Sequence, residues 1–244
     1  RSNTFDSSKK FSFYKVDCSK KSKIFNYLKD CDAIIINAAN IGGIKHLDKG
    51  FSKLFLENQN IFNSSLSAAI DAFNYHKLKK IILISTSMIY ESNGKKFSKE
   101  EDDTKIAYPK NFYAFQKLTS EMILKAASKQ YGFKYNIIRP FNLVGKFESN
   151  KVSKMSHVIP ELIKKFRNRN KTIKIYGDGS QERSFTCISE AAKCIYLISS
   201  KKICENQTFN VGSEDSTSII KLTEILSKIL KINKKIVKSK SFVS

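Results

Sequence analysis

Apolar positions along the chain alternate between two textures: short β-branched runs and longer stretches with helical spacing. Residues 13–17 predict a strand, and residues 22–29 a helix with Ile24, Phe25 and Leu28 on one face. The run AIIIN at 33–37 is continuously apolar, as expected of a strand covered on both sides. A long helix over about 54–75 follows, then the strand-like IILIST at 81–86 and a polar, irregular stretch at 91–110. A helix at 111–131 then leads into the strand YNIIR at 135–139. Strand and helix in strict alternation predict an α/β fold, a doubly wound parallel sheet with crossover helices.

Beyond Pro140 the rhythm loosens. A loop at 145–156 precedes a helix at 160–169, a short strand at 173–176 and a turn at Gly177-Asp178-Gly179. A helix near 190–199, a strand at 208–211 and a helix over 218–230 complete the regular elements. In the last helix Ile219, Leu222, Ile225, Leu226 and Ile229 recur at helical spacing. The tail from 234 reads as the start of an element that is not completed. The chain divides into a sheet-forming part, residues 1–143, and a smaller mixed part, 144–244, whose segment near 185–211 returns to the sheet.

Composition narrows the functional classes. With 41% apolar and 27% charged residues the chain has material for a buried core, and no run nears the roughly 18 apolar residues of a membrane span. The opening RSNTFDSSKK is no signal peptide, so the expected location is the cytoplasm. The net charge is +22, yet only five of the 44 basic residues are Arg, and the Lys is spread along the whole chain. Specific readers of phosphate and bases favour the planar fork of Arg. The charge therefore reads as a solvated surface that attracts an anionic substrate, with neither nucleic acid nor membrane as partner. The five cysteines form no C-x-x-C pair and sit mostly in apolar runs, where Cys packs as a small hydrophobe. Three histidines, far apart, give no metal site.

In open parallel sheets ligands bind beyond the carboxyl ends of the strands. Those ends here are Asp17-Cys18, Asn37-Ala38-Ala39, Thr86-Ser87 and Arg139-Pro140-Phe141-Asn142, each small or polar after an apolar run. The sharpest chemical candidate is Tyr113 with Lys117, four apart and so on one helix face. A phenol is a poor base near neutrality, and an adjacent ammonium is expected to lower its pKa. It could then take a proton from a substrate hydroxyl, while Thr86 orients the same hydroxyl. Spacing alone proves little: about 1.6 Y-x-x-x-K matches are expected by chance in this composition. The second match, Tyr75 with Lys79, lies just before a strand, at the wrong end of the sheet, and reads as structural.

IILISTSMIY, YAFQK 27 residues after Thr86, IIRPFNLVG and IYGDGSQERSF occur in one order that resembles the extended short-chain dehydrogenase/reductase family. More narrowly, the chain is similar to the NAD-dependent sugar-nucleotide epimerases and dehydratases of the UDP-glucose 4-epimerase kind. The resemblance implies a Rossmann-type domain for NAD (NADP as the variant), a nucleotide-sugar substrate linked to UDP or GDP, and a homodimer formed through paired helices, including the one bearing Tyr113. It implies a catalytic set of Thr86, Tyr113 and Lys117. Asp17 and Cys18 would lie beside the adenine, Asn37, Ala38 and Ala39 under the dinucleotide, Asn58 near the cofactor, and Pro140 at the edge of the nicotinamide site. Asn142, His157, Val158, Tyr176 and Arg183 would line the sugar nucleotide, with Arg183 pairing a phosphate. Each has a plain structural alternative: Asn142 could cap a turn, Tyr176 could be a core aromatic, and His157 could be a surface residue.

Two departures sharpen the expectation. The segments IGGIK and SHVIPELIKKF are also similar to GDP-fucose synthases and GDP-mannose 3,5-epimerases. Those enzymes use a cysteine two residues after the catalytic Ser, where this chain has Met88, which cannot carry a proton; His157 matches the fucose synthases' second group. Met88 favours oxidation and re-reduction at one carbon, a 4-epimerase reaction, over a fucose-synthase-like NADPH-dependent epimerase/reductase. A non-catalytic NAD-binding relative would have a broken Thr/Tyr/Lys set, and here the set is intact. The second departure is that no glycine-rich G-x-x-G-x-x-G turn occurs, and the chain starts without Met, as expected of a piece of a longer protein. The pyrophosphate of a dinucleotide rests on that turn. The 244-residue chain is therefore expected to bind NAD weakly; calorimetric titration giving a dissociation constant in the low micromolar range would overturn this expectation.

Overall fold

The computed structural model describes residues 11–40, 51–91, 98–100, 111–146 and 157–239. The segments 41–45 and 147–156, which the sequence reading used, lie outside them. In chain order the first elements are α1 (Lys21–Leu28), β1 (Ala33–Ile36), α2 (Phe51–Tyr75) and β2 (Lys80–Ile84). A 3₁₀ turn (Ser87–Tyr90), α3 (Phe112–Tyr131), β3 (Lys134–Pro140) and β4 (Leu143–Val144) follow. Then come α4 (Val158–Arg167), β5 (Thr172–Tyr176), β6 (Glu182–Arg183), β7 (Thr186–Cys187) and α5 (Ile188–Ser200). The rest is β8 (Gln207–Val211), β9 (Thr217–Ser218), α6 (Ile219–Leu230) and β10 (Lys235–Ser239).

Four strands form one parallel sheet in the order β1-β2-β3-β8. Ile81 and Leu83 of β2 point toward α1, α2 and α3, where Phe62, Ala69, Leu124 and Phe133 pack with them. Ile82 and Ile84 point the other way, onto Ala191, Ile195 and Ile198 of α5. Every residue of β2 is consequently buried, which is why IILI can be continuously apolar. The architecture is the three-layer α/β arrangement expected from the alternating elements.

A second, smaller core joins α4 and α6 over the parallel pair β5–β10. Here β5 alternates, with Ile173 and Ile175 inward and Thr172, Lys174 and Tyr176 outward, the mark of a sheet covered on one face. Lys234 secures the pair by donating to Asn168 O and Lys165 O at the end of α4.

Three expectations are corrected. Residues 13–17 form no strand: Phe13 and Tyr14 are exposed, and Tyr14 stacks against Tyr27 of α1 at 4.4 Å between centroids. A β-rich composition makes a strand only where a neighbour supplies ladder hydrogen bonds, and none pairs with this segment among the described residues. The tail, read as an incomplete element, instead supplies β10, because β5 offers Ile236 a register partner at Ile173. None of the five cysteines is buried: Cys18, Cys31 and Cys204 are half-buried, and Cys187 and Cys194 are exposed. Among the described residues no helix is long and apolar enough to cross a membrane.

Phe166 and Leu226 carry the small core, so Phe166→Ala is expected to cost about 3–5 kcal/mol, measured by chemical denaturation.

Candidate active site at the carboxyl ends of the strands

Tyr113 is placed by the start of its helix. Asn111 sits in extended backbone as the N-cap of α3, and its side-chain oxygen accepts from the N–H groups of Tyr113 and Ala114. The phenol and Lys117 then lie one turn apart on the buried side of α3. Lys117 Nζ donates to Ile84 O at 2.8 Å, the last carbonyl of β2, and lies 5.9 Å from the centre of the Tyr113 ring. That bond joins the helix to the strand end where Ser85 and Thr86 are buried. Thr86 caps the 3₁₀ turn, its Oγ1 accepting from Met88 N at 3.3 Å.

The electrostatics differ from the sequence expectation in one respect. Burial pushes the Tyr113 phenol up to about 12, and the ammonium does not offset this. Burial also pushes Lys117 down to about 8, with Glu121 one turn further along α3 opposing the fall. Both groups are thus driven toward their neutral forms by loss of water. The chain's own residues keep the phenol protonated near neutrality.

The β1 end brings Asn37, Ala38 and Ala39 to the same side of the sheet, with Asn37 and Ala38 exposed. Asn58, 2% exposed on α2, brackets the next residue: its Oδ1 accepts from Asn40 N at 2.7 Å and its Nδ2 donates to Asn40 O at 2.9 Å. Asn58 therefore shapes this loop from behind. Asp17 is engaged locally, its Oδ1 accepting from Ser19 N and Ser19 Oγ, which holds its carboxyl below the usual range. Cys18 is half-buried beside it, and Ser19 O accepts from Ser64 of α2.

Pro140 closes β3 opposite Val211 of β8. Asn142 follows at φ 33°, the left-handed region that Asn tolerates better than most residues. Its Nδ2 donates to Ser184 O and its carbonyl accepts from Thr186 N, tying the end of β3 to the β6–β7 segment. Arg183 of β6 is exposed, and its charge reaches Glu91 at the end of the 3₁₀ turn, opposing the rise that burial imposes on that carboxyl. His157, the N-cap residue of α4, is exposed; Val158 and Tyr176 belong to the second core unit, where Lys165 Nζ lies 5.0 Å from the Tyr176 ring centre. Tyr176 is 38% exposed and so is no core aromatic. Tyr75, exposed at the end of α2, stands just before the amino end of β2, away from this cluster.

These residues fit a dinucleotide. Ala38 and Ala39 leave a strand end with little side chain above it. Ser85 Oγ is buried at the end of β2 with no partner among the described residues. An ammonium has three donors, so the bond from Lys117 to Ile84 O leaves capacity for a polyhydroxyl ligand. The described residues contain no cluster of His, Cys, Asp or Glu able to hold a metal ion.

Sequence reasoning passed over a fully buried ion pair, Arg139 with Glu121, and its neighbours Tyr90 and Asn210. Two signals were available: Glu121 stands four residues after Lys117, and Arg139, among only five Arg, interrupts an apolar strand.

Comparison with known proteins gives a family match described as NAD dependent epimerase/dehydratase family over residues 1–212. A UDP-glucuronate 4-epimerase of Thermodesulfobacterium geofontis is 28% identical over 236 residues, 94% of this chain and 67% of that protein. An uncharacterised UDP-glucose epimerase of Bacillus subtilis is 27% identical over 165 residues, 68% of this chain and 49% of that protein. The chain thus spans about half to two thirds of the length of these relatives. The crystal structure of a Thermotoga maritima UDP-glucose 4-epimerase with UDP-glucose superposes with a TM-score of 0.81 at 22% identity, covering 95% of this chain and 72% of that one.

A Lys whose pKa falls from 10.5 to about 8 on folding binds its proton more readily in the unfolded chain between those values. Stability therefore rises as pH increases through that window, by roughly 3 kcal/mol at most. Lys117→Met is expected to abolish the rise, read as the denaturation midpoint against pH from 7.5 to 10.5.

Proposed function

The chain belongs to the NAD dependent epimerase/dehydratase family, and on that footing we propose that it is a nucleotide-sugar 4-epimerase. The carrying observation is the buried Tyr113/Lys117 pair fastened to the β2 end at Ile84 O, with buried Thr86 two residues further on and Met88 two beyond that. Met88 packs in an apolar cluster with Ile89, Tyr90, Leu118 and Phe141. No proton can be moved from that position, which supports chemistry confined to one sugar carbon.

NAD, held by the strand-end residues, would supply reversible hydride chemistry and, in its oxidised form, a positive charge that favours the Tyr113 phenolate. Tyr113 accepts the proton of the C4 hydroxyl as the carbon is oxidised and restores it to the opposite alcohol on reduction, so that no proton or electron pair is lost overall. Lys117 holds helix and strand together at the reacting pair. Thr86 orients the hydroxyl. Asn37, Ala38 and Ala39, shaped by Asn58, hold the dinucleotide with Asp17, Cys18 and Pro140. Asn142, His157, Val158, Tyr176 and Arg183 receive the nucleotide sugar. Residues 1–143 form the cofactor part and 144–244 the sugar part in this reading. Leu56 of α2 and Phe112 and Met122 of α3 are exposed, which supports a homodimer through these helices.

The test supplies excess NAD and a panel of UDP- and GDP-sugars, with products separated by chromatography and absorbance followed at about 340 nm, the nicotinamide signal. Isomer with no net change in nicotinamide is expected, and Tyr113→Phe should lose about 10²–10⁴ in turnover. Steady consumption of NADPH on a GDP-4-keto-sugar would replace this reading with a reductase of the fucose-synthase kind.

A further inference from the structure

Arg139 is fully buried in β3, and its guanidinium reaches three elements. Nε and Nη2 donate to Glu121 Oε1 and Oε2 of α3 at 3.1 and 2.6 Å. Nη1 donates to Tyr90 Oη at 2.5 Å and to Glu100 O at 3.3 Å. Tyr90 Oη in turn donates to Asn210 Oδ1 of β8 at 2.9 Å. Asn210 completes the ring of contacts: its N–H donates to Glu100 Oε1 at 2.7 Å and its Nδ2 to Ser98 O at 3.3 Å.

The arrangement is costly if its purpose is stability alone. A desolvated ion pair gains little over well-packed apolar residues of the same size. What it does fix is geometry. Glu121 lies one turn beyond Lys117 on the helix that carries Tyr113. Tyr90 is the last residue of the short turn that Thr86 opens, and residues 98–100 belong to the connection from that turn to α3. One guanidinium therefore grips both the helix bearing the phenol and the far end of the turn bearing the threonine.

We propose that Tyr90, Arg139 and Glu121 are positioning residues that set the separation of Thr86 from the Tyr113/Lys117 pair. This rests on reading that set as the reacting group. The Tyr90 hydroxyl is the critical joint, because among the described residues it carries the turn onto both Arg139 and Asn210.

Tyr90→Phe removes that hydroxyl while keeping the ring, which stacks on Phe141 at 6.2 Å. A double variant, Arg139→Met with Glu121→Leu, removes the charges together and leaves neither unpaired. Two readouts apply to the whole chain with NAD present. In amide hydrogen exchange, peptides carrying residues 86–91 and 98–100 are expected to exchange about tenfold faster in Tyr90→Phe, with α3 and the melting temperature unchanged. On a nucleotide sugar that the parent converts, kcat is expected to fall about tenfold with KM within about twofold. Unchanged exchange at those peptides, a uniform rise across α3 and β3, or an unaltered kcat in both variants would overturn the proposal. If the parent converts no sugar in the panel, the epimerase reading fails separately, and exchange at 86–91 and 98–100 alone decides the positioning role.

Discussion

The bond from the Lys117 ammonium to Ile84 O is the contact on which the candidate site depends. It is made inside the protein, where an ammonium has lost its water and must find an oxygen, and the last carbonyl of β2 provides it. Two elements separated by the whole turn and connection are thereby held in one frame. Strand β2 can serve as that frame because β1 and β3 pair on its two edges and helices cover both its faces. A strand satisfied in every direction has little freedom to shift, so its end is a rigid platform for Ser85 and Thr86.

The same burial that makes the platform rigid sets the protonation states. Loss of water pushes the phenol of Tyr113 up and the ammonium of Lys117 down, the reverse of mutual activation in an ion pair. A positive charge brought by a ligand would act on this pair through a medium that screens it weakly. Burial thus keeps the phenol protonated while Lys117, lowered only to about 8, remains an ammonium near neutrality, and a charge placed at the strand ends would bias the pair. The Arg139–Glu121 pair keeps a compensated charge only one turn from Lys117, so the site has a polar skeleton on its inner side and an open edge at Asn37 and Ala38.

The second unit obeys different rules. Its sheet has two strands, covered on one face, and its core is built from α4 and α6. Asn142 joins it to the main sheet by accepting a left-handed backbone and reaching Ser184 and Thr186. Arg183 comes within electrostatic range of Glu91 through that connection. The junction is therefore made by Asn142 and the short β4–β7 pair, whereas Asn37, Ser85 and Thr86 stand on strand ends of the main sheet.

The amino-acid sequence by itself determined the parts that follow from period and local chemistry. The run IILI is a strand covered on both faces, whereas AIII, expected to be covered likewise, leaves Ile35 exposed; the Asn111 cap and Gly132 bound the helix of Tyr113, and a spacing of four puts Lys117 beside it. Tertiary structure alone decided what depends on a distant partner. Residues 13–17 have strand composition without a pairing neighbour, and the tail became β10 because β5 was available. Asn58 turned out to brace Asn40, and Arg139 met Glu121, Tyr90 and Glu100 from three separate elements. Local propensities are encoded within a few residues of one another. Hydrogen-bond ladders, buried charges and pKa shifts arise only when segments tens of residues apart exclude water together.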